Sequence, residues 1–423
     1  MIKLQSLVVP LKGFGGRVAC GWIMARILFL INTFNIGGAE RQAILLAEQF
    51  LHLGHTLQVC AFQEGEQAAA LCRGAGLPIC VLPLPLSKPR PVKSAIEFLL
   101  YLRRFSPDYI FSYCGMPNIF ASLAFPFTSA MHCIWGQRDG GLDGPLLKMF
   151  PFLNRIPSIF VSNSTAGLEF LNIFAPDGRV FHIQNAVLLA PPKMSRSQWR
   201  QKFNIDSDAL VFLKIATLSC HKAHNILLES WALAQRNPLF PSSARLVLAG
   251  RPTAHAKKLL GMALALGITD SVIFAGNVED VAGLINSADV GVFSSRFEGL
   301  PNSVLECMAG GLPMVALDIE GTREALGNSK ENILIFPHTV ENFAYGLMEM
   351  ATDPGKRRAA GTFNKAIIEK NCSPSLLLKK YEEILTLPPV TCCARLARCF
   401  FSVFSITSFI IMKMIQKILD KLS

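Results

Sequence analysis

Glu298 and Glu306 stand eight residues apart and bracket the turn Gly299-Leu300-Pro301-Asn302-Ser303, directly after an apolar run and ahead of a helical pattern. The spacing puts Glu298 on a loop at the carboxyl end of a strand and Glu306 in the first turns of a helix. Backbone N–H groups near Asn302 and Ser303 then form an open helix N-terminus, which suits a phosphate or another anion. Carboxylates accept hydrogen bonds from neighbouring diol hydroxyls, so a sugar and a ribose on either side of that anion are natural partners. By spacing alone, a capped helix flanked by solvated glutamates fits equally well. A second polar cluster, Cys220, His221 and His224 around Lys222, has metal-like residue types but no fourth ligand nearby. No zinc is expected there, and His224 reads as a packing and hydrogen-bonding residue.

Strands and helices must position these groups. Residues 27–31, 56–62, 109–112 and 159–162 read as strands, and 40–52 and 94–105 as helices. The Pro-rich break Ala190-Pro191-Pro192-Lys193 reads as an interdomain linker. Beyond it the alternation restarts, with strands at 210–216, 246–249, 272–274, 290–294 and 314–317 and helices at 223–234, 254–266, 281–287 and 303–309. Residues 375–385 read as the last domain helix. The expected fold is α/β, with two Rossmann-like open parallel-sheet domains, 25–190 and 191–387, facing a cleft. An extension, 1–24, precedes them and a tail, 388–423, follows. In such sheets ligands sit outside the carboxyl ends of the strands.

Composition agrees with two packed domains. The 423 residues are 51% apolar and 17% charged, which excludes disordered, fibrous and disulfide-stapled classes. Twelve cysteines without a C-x-x-C pair suit small buried hydrophobes in a reducing compartment. The net charge of +11 divides into +5 for residues 1–190, +2 for 191–390 and +4 for the short stretch 391–423. Charge dispersed over the domains and concentrated beside an apolar tail argues against a nucleic-acid reader and for an anionic membrane surface. The uncharged run 399–412 falls short of the roughly 20 residues that span a bilayer. Arg395, Arg398, Lys413 and Lys417 fall on one helical face, which predicts an amphipathic helix lying in the membrane plane. A helix packed on the body and a short tilted span are the alternatives. Truncation at Leu387 is expected to release the protein from membranes.

The segment 298–306, followed by Met308-Ala309 and Gly311-Leu312-Pro313, resembles the signature of glycosyltransferase family 4. Phe34-Asn35-Ile36-Gly37-Gly38-Ala39-Glu40-Arg41, Ser162-Asn163-Ser164 and Leu248-Ala249-Gly250 stand at the corresponding places, so the resemblance covers about residues 25 to 387. It implies a GT-B fold and a retaining transfer, by front-face attack, from a nucleotide-diphosphate sugar to a hydroxyl of a glycan acceptor. A lipid-linked acceptor in polysaccharide, lipopolysaccharide or glycolipid synthesis, at the inner face of the cell membrane, fits the tail. No cofactor and no metal are expected.

By that resemblance Glu298 holds hydroxyls of the transferred sugar and Glu306 those of the ribose. The turn Gly299, Leu300, Asn302 and Ser303 contributes to donor binding, and Gly37 and Gly38 admit the diphosphate from the opposite domain. Lys222 clamps the leaving diphosphate, with Thr217 where the family usually carries an arginine. Where many members place a histidine near donor sugar and acceptor, this chain offers Gln137 or Arg138. Arg138 is expected to face the cleft as an anion or sugar contact, with a plain surface arginine as the alternative. Gln184-Asn185-Ala186-Val187 stands where Asn-Gly-x-Asp is common. A GT-B epimerase and a degenerate protein that binds without turnover are the rival functions.

Overall fold

The computed structural model describes residues 24–389 apart from 83, 85–90, 139–155, 176–178 and 328. The expected N-terminal extension up to residue 23, Asp139 and the tail from 390 onward lie outside the described residues. The first sheet comprises β1 (Arg26–Thr33), β2 (Thr56–Gln63), β3 (Ile79–Val81), β4 (Tyr109–Tyr113), β5 (His132–Gln137), β6 (Ile159–Ser162) and β7 (Val180–His182). Its order is β3-β2-β1-β4-β5-β6-β7, every neighbouring pair parallel. The second comprises β8 (Val211–Ile215), β9 (Arg245–Ala249), β10 (Val272–Gly276), β11 (Val290–Phe293), β12 (Met314–Leu317) and β13 (Ile333–Ile335). Its order is β10-β9-β8-β11-β12-β13, again all parallel.

Central strands such as β1 are near-continuous apolar runs because helices cover both faces of the sheet. Phe29 stacks on Phe111 at 4.9 Å between ring centroids on one face, while Leu28, Leu30 and Ile110 belong to a separate cluster on the other. In the second domain Phe212 and Val292 face one cluster and Val211 and Leu213 the other. The expected strands are all present. β5 was not among them, and β3, β7 and β13 were not legible, because three residues at a sheet edge are too few to display a period.

One expectation needs correction. The helix Pro374–Leu385, read as the end of the second domain, packs on the first. Leu377, Tyr381, Ile384 and Leu385 lie on one helical face and are buried among Phe29, Phe50 and Phe111. Periodicity revealed that this helix has an apolar face, but not which core receives it. The returning chain meets the linker where Val187 N donates to Cys372 O at 2.8 Å. Asp280 accepts from Lys193 N and Met194 N at 3.0 Å each, which fixes the linker's far end on the second domain.

Candidate active site

Strand order reverses between β1 and β4 in one sheet and between β8 and β11 in the other. Loops leaving adjacent strands in opposite directions open a crevice at such points. Gly37, Gly38 and Arg41 follow β1, Thr217 and Lys222 follow β8, and Glu298 to Glu306 follow β11. Apart from Arg138, which follows β5, the sequence-predicted residues therefore come from three of the four strands that border the two switch points.

Gly37 is the N-cap of the helix Gly38–His52 and provides no side-chain cap. A Cβ at Gly38 would stand 2.7 Å from Asn302 Nδ2, so the missing side chain lets the second domain approach. Asn302 Nδ2 donates to Gly38 O at 3.0 Å. One turn into the same helix, Arg41 Nη1 donates to Glu306 Oε1 at 2.7 Å across the domain boundary. Burial raises the Glu306 carboxyl above its ordinary range, and the Arg41 guanidinium works against that rise. Arg41 had been read only as part of a motif. The missed signal is its spacing, four residues after the N-cap Gly37.

Beyond β8, Lys222 Nζ donates to Glu298 Oε1. Ala223 adopts a left-handed conformation, φ 46° and ψ 47°, and the helix His224–Gln235 begins there without a side-chain cap. Thr217 lies half-buried in the same loop. The His224 ring is buried, and burial lowers its pKa to about 2, reinforced by Lys214, His255 and Lys222 against a hydrogen bond with the Ser219 backbone. A histidine held in this way carries no positive charge at neutral pH. Cys220 and His221 are exposed while His224 points into the core, and among the described residues no group of three His, Cys, Asp or Glu side chains is placed to hold a metal ion.

The helix Asn302–Ala309 starts at Pro301, also without a side-chain cap, and Ser303 lies half-buried in its first turn. Two uncapped helix N-termini, at Gly38 and Asn302, thus face each other across the domain boundary. Gly299 is pressed against the first domain, since a Cβ there would stand 3.1 Å from Arg138 O and 3.3 Å from Ser164 Oγ. Behind it, a Cβ on Gly321 would reach within 1.7 Å of Gly299 O, so the helix Glu320–Leu326 backs the Glu298 turn directly.

Two sequence-predicted residues stand elsewhere than expected. The Leu300 side chain is buried with Val304 and Leu305, so only its backbone faces the domain boundary, where its carbonyl accepts from Asn185 Nδ2 at 3.4 Å. Arg138 does not extend freely into the cleft. Nη1 donates to Asn185 Oδ1 and Nη2 to Tyr381 OH, both at 3.0 Å, and the guanidinium lies 4.6 Å from the Tyr113 ring centroid. Asn185 Nδ2 continues the chain to Asn302 Oδ1 at 2.6 Å. The helix that returns from the second domain brings Tyr381 to Arg138, and no local pattern encodes that encounter. Glu324 is a further unforeseen seam residue, accepting from Thr165 N at 2.7 Å and Gln184 Nε2 at 3.1 Å, with His182 Nε2 at 2.8 Å. Burial alone would raise its carboxyl, but these partners hold it below the ordinary range. The available signal was its position just past the carboxyl end of β12.

Two open parallel sheets whose carboxyl edges face one cleft define the GT-B class of two-domain proteins. The chain belongs to glycosyltransferase family 4: residues 36–190 match the family described as Glycosyltransferase Family 4, and residues 195–366 the family described as Glycosyl transferases group 1. It is 31% identical over 336 residues to an uncharacterized glycosyltransferase of Haemophilus influenzae, covering 77% of this chain and 90% of that one. An uncharacterized glycosyltransferase of Methanocaldococcus jannaschii is 26% identical over 246 residues, 55% of this chain, and that match spans 62% of the relative's own length. In fold, Anabaena HepE, solved in complex with UDP and glucose, is similar with a TM-score of 0.76 at 20% identity, over 86% of this chain and 100% of its own.

Proposed function

We propose that the protein transfers a sugar, with retention of anomeric configuration, from a nucleotide-diphosphate donor to a hydroxyl of a lipid-linked glycan. The observation that carries this is the convergence of Gly38, Lys222, Glu298 and Glu306 at the two switch points. The donor diphosphate lies between the facing N-termini at Gly38 and Asn302, where unsatisfied N–H groups and helix dipoles favour an anion. Lys222 moves from Glu298 to the phosphates as the glycosidic bond breaks and stabilises the departing charge. Glu298, so released, accepts hydrogen bonds from hydroxyls of the transferred sugar, and Glu306 from those of the ribose. Arg41 donates to the Glu306 carboxylate until the ribose arrives. Such a transfer needs no resident cofactor or metal. HepE, with its bound UDP, supports uracil as the first donor base to test.

The test is a thermal-shift screen of the full chain against nucleotides and nucleotide sugars, followed by assay of the sugar that shifts the midpoint. A selective shift with turnover supports transfer. A selective shift without turnover under any acceptor favours the binding-only protein, which Thr217 in place of an arginine keeps in view. Glu306→Ala is expected to weaken nucleotide binding about tenfold, the size of a lost charge-assisted hydrogen bond, with turnover at saturating donor nearly retained. Equal affinity by calorimetric titration would remove Glu306 from the ribose site.

The tail is proposed to hold the enzyme against the inner face of the cell membrane. His132 Nε2 contacts Leu387 O at 2.9 Å and Arg179 donates to Pro388 O at 3.2 Å, so a truncation after Pro389 keeps both contacts. Among the described residues no helix is long and apolar enough to cross a membrane. The truncated enzyme is expected to leave the membrane fraction with its turnover of a soluble acceptor unchanged. Undiminished sedimentation with membranes would eliminate the anchor.

A further inference from the structure

Lys214 lies on β8, at the centre of the second sheet, with only 1% of its surface exposed. Nζ donates to Ser294 Oγ at 2.7 Å, and Ser294 Oγ in turn donates to the carbonyls of Lys222 and Ala223 at 3.2 and 3.0 Å. Among the described residues no carboxylate forms an ion pair with it. An apolar side chain would fill this place without the penalty of burying an amine, so packing does not account for a lysine here. Its surroundings account for it better. Above it stand the Lys222–Ala223 turn and the uncapped helix that follows, with Thr217, which carries no charge, in the loop between. Beside it lies the buried His224 ring, close enough for the two to repel when charged.

We propose that Lys214 is a positioning residue of the diphosphate site, supplying from beneath the Lys222–Ala223 turn, through Ser294, the positive charge that Thr217 lacks. The proposal rests on the donor site described above. The charged groups facing Lys214 are Lys222, from the turn before the helix His224–Gln235, and Glu298, from the loop after β11. His224 at the helix start stays neutral. Burial, then Lys222, lowers the Lys214 pKa to about 7, against the pull of Glu298. A bound diphosphate favours the ammonium form, so binding draws one proton from the buffer onto Nζ wherever the free amine is neutral. Affinity for the diphosphate then falls as pH rises from 7 to 9.

Calorimetric titration of the full chain with UDP, and with inorganic diphosphate, in two buffers of different ionisation enthalpy at pH 8 measures that proton directly. The wild type is expected to take up roughly half a proton or more and to lose about tenfold in UDP affinity between pH 7 and 9. Lys214→Met should bind about tenfold more weakly at pH 7, with no uptake and a flat pH profile, and should melt no lower than the wild type. Wild-type binding without proton uptake overturns the proposal whether or not the variant folds, as does uptake that persists in Lys214→Met. Failure of the wild type to bind either probe overturns the donor site itself, and the Lys214 role falls with it.

Discussion

The Glu298→Ala enzyme is expected to turn over roughly 10²- to 10³-fold more slowly than the wild type while binding nucleotide nearly as well, the loss typical of removing one preorganised polar group from a reacting centre. Glu298 is placed by backbone packing on two sides: Gly299 against the first domain at Arg138 and Ser164, and Gly321 against the Gly299 carbonyl. A carboxylate on so constrained a turn can orient sugar hydroxyls with little reorganisation. In the unliganded chain the same carboxylate holds Lys222. Removing it leaves the lysine available to the diphosphate, so donor affinity should survive while the sugar is misplaced. Initial rates and calorimetric affinities separate the two effects. Glu298→Gln, which keeps the shape but not the charge, should recover only part of the rate. Wild-type turnover in the alanine variant would sink the assignment.

Trp231→Ala is expected to destabilise the second domain by about 3–5 kcal/mol. The indole is fully buried in the helix His224–Gln235, edge-on to Phe212 and Phe240 with ring centroids at 5.2 Å from each, and Nε1 donates to Ser271 Oγ at 3.0 Å. For a domain of this size the change corresponds to a melting midpoint lower by roughly ten degrees. The helix also presents Lys222 at its N-terminal end, so UDP should restore part of the lost midpoint by binding only the folded domain. A midpoint within a degree or two of the wild type would show that the cavity collapses without cost.

Much of this arrangement was legible in the chain because it is local. The apolar run of β1 and the Gly-Gly turn after it are contiguous in sequence, as are Lys222 after β8 and the paired glutamates after β11. A strand followed by a loop and a helix places such residues at a carboxyl edge whatever the rest of the molecule does. Arg138 and Leu300 stand otherwise than expected, the one hydrogen-bonded to Asn185 and Tyr381 and the other with its side chain buried. Each sits beside a functional turn, and adjacency along the chain does not decide which way a side chain faces. Arg41, Glu324 and Lys214 were missed because their meaning depends on partners 80 to 265 residues away in sequence, or on burial that only a neighbouring strand imposes.

By itself, then, the sequence determined two alternating α/β units, most of their strands and the residue types standing at the ends of β1, β8 and β11, since short-range periodicity and turn residues encode all three. Only the tertiary structure decided that the helix Pro374–Leu385 returns to the first core, that Arg41 reaches Glu306, and that Tyr381, Arg138, Asn185 and Asn302 form one hydrogen-bonded path across the boundary. The physical reason is the same in each case. An amphipathic face or a charged side chain records that it needs a partner, while the choice of partner is made by the packing of segments far apart in the chain.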